Sequence, residues 1–179
     1  YRFTRKEDTD TYHITQRFQT PLHPVLQINA RKEKIRSVKV NGVPATWQSI
    51  ESAHGYPLLS IQAEGTSSTT ITIEWEGAPL HTLAVQEPLI TSNGKLALQI
   101  PSGASISQVY DPQSILANHT VEATAFNAQI KGEPGHHTFF VYTHQGEMDW
   151  WQPVNIYIEN VRESPSYTDF ARSEERRVG

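Results

Sequence analysis

Along most of this chain apolar and polar residues alternate one by one, and a period of two is the signature of strands. From Thr69 to Glu76, the side chains of Ile71, Ile73 and Trp75 share one face, with Thr70, Thr72, Glu74 and Glu76 on the other. Leu96/Leu98/Ile100, Phe126/Ala128/Ile130 and Val154/Ile156/Ile158 repeat the pattern. Extended backbone sends successive side chains to opposite sides, so each run predicts a strand with one face on a core and one in water. Tyr12/Ile14/Phe18, Leu26/Ile28/Ala30, Val38/Val40 and Leu59/Ile61/Ala63 read the same way with gaps. Thr138-Phe139-Phe140-Val141-Tyr142 is apolar on both faces. That suits a central strand covered on both sides, or one whose outer face meets a neighbouring module.

Turn chemistry separates the runs. Asn41-Gly42 and Asn93-Gly94 tolerate the positive φ that tight hairpins demand. Asp111-Pro112, Glu133-Pro134-Gly135 and Gln145-Gly146 do similar work. No stretch of ten residues carries apolar positions at helical spacing, and the nearest segment, Pro112 to Asn118, predicts a single helical turn. The fold class that follows is all-β, with one or two antiparallel, Ig-like β-sandwich modules. A length of 179 residues suits one large domain or two small ones. Pro79 and Pro88 flank a short apolar segment, which places a boundary within 77–88. The expected division is a β-sandwich module over 1–82, an Ig-like β-sandwich module over 83–163 and a disordered tail over 164–179. A single sandwich with the 77–88 segment as a crossover is the alternative. Residues 172–179 (RSEERRVG) resemble a vector- or adapter-derived extension. The start at Tyr1, with neither Met nor an apolar leader, reads as a piece of a longer protein.

Several function classes fall away. A net charge of −4 and a pI near 6.1 lack the basic footprint that nucleic acid demands. No run approaches the roughly 18 apolar residues of a membrane span. Without cysteine there is no disulfide, thiolate zinc site or cysteine nucleophile. There is neither a G-x-S-x-G elbow nor a glycine-rich phosphate loop, so no cofactor is expected. A glycosidase needs two carboxylates flanking one bond, and the richest local acid group is Glu147 and Asp149 beside Trp150-Trp151. A polar hairpin turn, Gln145 to Asp149, leading into a strand is the simpler reading of that group. His136, His137 and His144 could offer two metal ligands alongside Asp149, but no helix or fixed short loop holds them at ligand spacing. Ordinary surface histidines are the simpler reading.

Aromatic residues are the stronger candidates. Sugar rings have apolar faces that stack on planar side chains, and adjacent Trp150 and Trp151 must point to opposite sides of a strand. One can enter a core while the other reaches a surface, where Phe140 and Tyr142 could extend the patch. The candidate carbohydrate or interdomain contact is therefore Trp150, Trp151, Tyr142 and Phe140, with no catalytic and no metal residue.

Two regions carry a resemblance. Ser37 to Trp47 (SVKVNGVPATW) looks like a strand–turn–strand of β-sandwich domains appended to bacterial polysaccharide-degrading enzymes. Ser92 to Ile100 (SNGKLALQI), Gln108 to Leu116 (QVYDPQSIL) and Gly135 to Val154 (GHHTFFVYTHQGEMDWWQPV) are similar to the C-terminal part of a family of large exported bacterial proteins of unknown function. That family is linked to polysaccharide utilisation, and its main body resembles a helical-toroid glycoside hydrolase. The resemblance spans most of 1–163, and its motifs are structural rather than catalytic. It implies a non-catalytic accessory region that buttresses an upstream catalytic domain of the same chain, in the periplasm or at the cell surface, with polysaccharide as a further partner. An independent carbohydrate-binding module is the alternative, favoured if Trp150 or Trp151 forms an exposed platform with Tyr142 or Tyr157. An Ig-like adhesion or surface-display spacer is the third.

Overall fold

The computed structural model describes residues 1–83 and 87–159. The expected tail over 164–179 lies outside them, as does part of the 77–88 boundary segment. Among the described residues there are fifteen strands and no helix. None is therefore a helix long and apolar enough to cross a membrane.

Strands β1 (Arg2–Lys6), β2 (Thr9–Thr15), β8 (Ser68–Pro79), β4 (Lys32–Val40) and β5 (Val43–Pro44) form one sheet, in that order. A second sheet, ordered β3 (Val25–Asn29), β7 (Leu58–Gln62), β6 (Gln48–Ser49), faces it. Ile35, Val38, Ile71, Ile73 and Trp75 from the first sheet share one core with Leu59 and Ile61 from the second. Val40 pairs with Val43 across Asn41-Gly42, where φ is 51° and 82°. Two successive positive φ angles define the tight turn that matches strand twist.

The remaining strands build a second sandwich. One sheet is ordered β10 (Lys95–Gln99), β13 (Ala125–Ile130), β12 (Leu116–Val121). The other is ordered β11 (Ala104–Tyr110), β14 (Gly135–Gln145), β15 (Met148–Glu159), β9 (Leu89–Thr91). Every pairing in the two sandwiches is antiparallel except β9 on β15, which is parallel. Seven strands split three and four, closed by this edge strand, make an Ig-like sandwich. Leu96, Leu98 and Phe126 meet Phe139, Val141, Val154 and Ile156 in its core. The Phe126 and Phe139 rings lie 5.5 Å apart across it. Burying each such side chain contributes roughly 1.5–3 kcal/mol before conformational entropy is charged against it.

The segment from Pro112 to Asn118 is not a helical turn. It is a reverse turn at Pro112-Gln113 followed by the start of β12. Asp111 decides this, because its carboxylate accepts the Leu116 N–H at 2.8 Å and folds the chain into the strand. Competition of this kind, side chain against helical backbone, is what makes aspartate a turn residue.

The two sandwiches share side chains. Met148 and Trp150, from the start of β15, are fully buried and belong to the core of the first sandwich, whereas Val154, Ile156 and Ile158 of the same strand belong to the second. The transition is polar and satisfied. Gln145 accepts from His81 N–H (3.1 Å) and donates to the Pro79 carbonyl (3.0 Å). Gln152 accepts from Leu83 N–H (2.7 Å) and donates to Thr143 Oγ1 (2.9 Å). Buried polar groups must find partners, and these two glutamines find them on the segment joining the sandwiches.

Candidate functional site

The outer face of β11-β14-β15 collects the aromatic residues. Alternation along β14 sends Phe139 and Val141 inward, and Phe140 and Tyr142 outward. Register then places Tyr110 beside Phe140, Gln108 and Trp151 beside Tyr142, and His144 beside Asp149. Tyr142 and Trp151 rings are 4.9 Å apart, Tyr110 and Phe140 6.2 Å, and Tyr110 and Trp151 6.4 Å. Tyr110 is 58% exposed, and Phe140, Tyr142 and Trp151 are half-buried. The result is a patch of four rings on a sheet surface.

The first sandwich supplies one border of this patch. Segment 53–55 bridges to the edge of β15: Gly55 N–H donates to the Trp151 carbonyl (2.7 Å), and Trp151 N–H donates to the Ala53 carbonyl (2.9 Å). The His54 ring is thereby set edge-on to Phe140 at 5.6 Å. The clamp also satisfies edge groups of β15 that would otherwise invite pairing with another chain.

Carboxylates border the patch. His144 Nδ1 and Asp149 Oδ1 are 2.7 Å apart. The Tyr142 phenol is held above its ordinary range, first by desolvation and then by the charges of Asp149 and Glu51. Burial and nearby negative charge both disfavour a phenolate, so Tyr142 stays a neutral hydroxyl able to donate.

Of the four residues named from sequence, the structure brings together Phe140, Tyr142 and Trp151. Trp150 goes elsewhere: it is fully buried among Ile71, Ile73 and Trp75 of the first sandwich. Opposite pointing of the two tryptophans follows from strand geometry, but their destinations depend on where the β14–β15 hairpin ends. Tyr110 and His54 complete the patch, and neither is legible in the sequence as a member of it. A β-bulge between Ile106 and Gln108 hides Tyr110 from any period-two reading, and His54 reaches the patch only through tertiary contact.

Comparison of this chain with family models, with curated proteins and with solved structures gave no match. Chemistry at the patch therefore rests on its own geometry.

Among the described residues, the reacting groups named from sequence do not converge at the patch. Glu147 and Asp149 do not face each other across a gap, because the Glu147 carboxylate accepts the Ile35 N–H at 3.4 Å while Asp149 pairs with His144. Ser105 lies opposite His144 in register, yet no hydrogen bond joins its hydroxyl to the imidazole, as an activated nucleophile requires. The histidines are spread along β14: His136 meets Glu87 at 2.6 Å and His137 meets the Glu133 carbonyl at 2.8 Å. Eight residues of strand put His136 roughly 27 Å from His144. Among the described residues no group of three His, Asp or Glu side chains converges as a metal site would.

Proposed function

We propose that this chain is a non-catalytic accessory region of a larger exported carbohydrate-active protein, and that the Tyr110/Phe140/Tyr142/Trp151 face is where it contacts polysaccharide. The observation that carries the reading is the placement of four aromatic rings on an open sheet surface, flanked by groups that hydrogen-bond. A pyranose ring offers apolar C–H groups on its face and hydroxyls around its rim. Tyrosine and tryptophan, each with an apolar body and a polar tip, match both. The resemblance of Ser37–Trp47 and of the 92–154 segments to regions of polysaccharide-utilisation proteins supports the accessory role.

A second reading, in which the region buttresses the catalytic domain, is favoured by the first sandwich. Val25 and Val43, exposed by 54% and 65%, border a groove of about 600 Å³ between its two sheets. Apolar side chains grouped at a rim are what a covered surface leaves behind when its partner is removed.

Affinity electrophoresis separates the two. Retardation of the chain in gels cast with a soluble polysaccharide, lost on Trp151→Ala with the circular dichroism spectrum unchanged, is the expected result. Mobility independent of every polysaccharide, together with capture of an added catalytic body that Val43→Glu abolishes, would replace glycan contact with buttressing.

A further inference from the structure

The aromatic face is poor in positive charge, and that limits what it can hold. Between Lys39 and Arg162 the chain contains two lysines, Lys95 and Lys131, and no arginine. Lys95 is on β10, in the opposite sheet, and Lys131 follows β13 of that same sheet. Strands β11, β14 and β15 and the 48–57 segment have neither lysine nor arginine. Uronate, sulfate and phosphate groups are recognised above all by arginine forks and lysine ammonium groups. None is present on this face.

Negative charge is present instead. Asp149 stands in register beside His144, two pairs along from Tyr142 and Trp151 and so on the same face. Glu51 lies two residues before Ala53, whose carbonyl accepts the Trp151 N–H, so the first sandwich brings a second carboxylate to the border of this face. An ionised carboxylate only accepts hydrogen bonds, with about four sites available. Asp149 uses one oxygen on His144 and keeps capacity for sugar hydroxyls.

We propose that this face selects a neutral glycan over an anionic one, the rings stacking on sugar faces while Asp149 and Glu51 accept hydroxyls and repel uronate or sulfate groups. The proposal rests on the reading of the face as a polysaccharide contact. It also makes the site composite: Glu51 and His54 come from the first sandwich, and the four rings from the second. A like charge about 4 Å from the bound chain, in the dielectric of the surrounding water, weakens an anionic ligand about 3- to 10-fold.

The test is calorimetric titration of the whole chain with two sets of hexasaccharides, in low salt so that charge effects are not screened. Neutral probes are the β-1,4-linked glucose, xylose and mannose hexamers; anionic probes are hexagalacturonate and hexamannuronate. The expected result is saturable binding of at least one neutral probe, at least about 10-fold tighter than either anionic one by this charge argument. Tyr110→Ala, at an exposed position, and Trp151→Ala should each abolish it. Glu51→Gln combined with Asp149→Asn, which removes both charges, should tighten the anionic probes about 10-fold or more. Anionic probes binding as tightly as neutral ones, in a Trp151-dependent manner, would overturn the charge selection while leaving glycan contact standing. Absence of Trp151-dependent binding to any probe would overturn both.

Discussion

Asp10 is a carboxylate with 1% exposure, and it survives burial because donors surround it. Arg5 donates to both of its oxygens (2.8 and 3.2 Å), and the buried Trp75 indole donates to one (3.1 Å). Asp10→Ala leaves the Trp75 N–H without a partner and should cost about 2–4 kcal/mol. Asp10→Asn, which keeps an acceptor for the indole, should cost less, and urea midpoints would rank the two. Trp150 presents the converse: its Nε1–H is buried and has no hydrogen-bond partner among the described residues. Its contribution is packing. Trp150→Ala should therefore lose about 3–5 kcal/mol, whereas Trp150→Phe, which removes the orphaned donor along with part of the ring, should lose far less. Equal losses for the two substitutions would show that the indole nitrogen, not the ring volume, matters.

At the scale of elements, the β14–β15 hairpin joins the two sandwiches. Its turn residue Gly146 has φ 62° and packs against the Glu33 backbone, so an added Cβ would collide there. Glu147 N–H donates to the Glu33 carbonyl at 2.7 Å. The Glu33 carboxylate accepts from Ala78 N–H (2.9 Å) and Gln145 Nε2 (3.3 Å), and these bonds hold it below the ordinary glutamate range. A depressed folded-state value stabilises above the unfolded one, and the contribution is lost as pH falls through the folded value. Glu33→Gln should accordingly flatten part of the acid-side loss of stability, read as urea midpoint against pH. Gly146→Ala should destabilise at every pH, by about 1–3 kcal/mol, from the left-handed backbone and the contact with Glu33. Much of this architecture was legible beforehand. Ile71, Ile73 and Trp75 announce β8 because one face is buried without interruption. β12 announces nothing, since as an edge strand it is exposed along nearly its whole length and has no apolar alternation to read. β11 is obscured differently: its bulge puts the inward residues Ile106 and Val109 three apart, which breaks the period of two.

The whole molecule behaves, on this account, as one cooperative body built from two sandwiches. Met148 and Trp150 extend the first core with residues of a strand whose other half builds the second, so neither sandwich can open without exposing the other. Chemical denaturation followed by tryptophan fluorescence and by far-ultraviolet circular dichroism should give coincident single transitions. Two separated transitions would mean that the shared side chains couple the sandwiches weakly. The site follows the same logic. Phe140, Tyr142 and Trp151 could be named from strand parity, but Glu51 and His54 belong to the other sandwich and meet them only once the chain is folded.

The central claim, that the outer face of β11-β14-β15 contacts glycan, is most directly tested by proton–nitrogen correlation spectra of the labelled chain during titration with a neutral hexasaccharide. Its four tryptophans, Trp47, Trp75, Trp150 and Trp151, give four indole signals. The account predicts that the Trp151 indole shifts with saturation, together with the amides of Tyr110, Phe140, Tyr142 and His54, while the buried Trp75 and Trp150 indoles stay in place. Shifts confined to the Val25–Val43 groove of the first sandwich, or no saturable shift at Trp151, would contradict it.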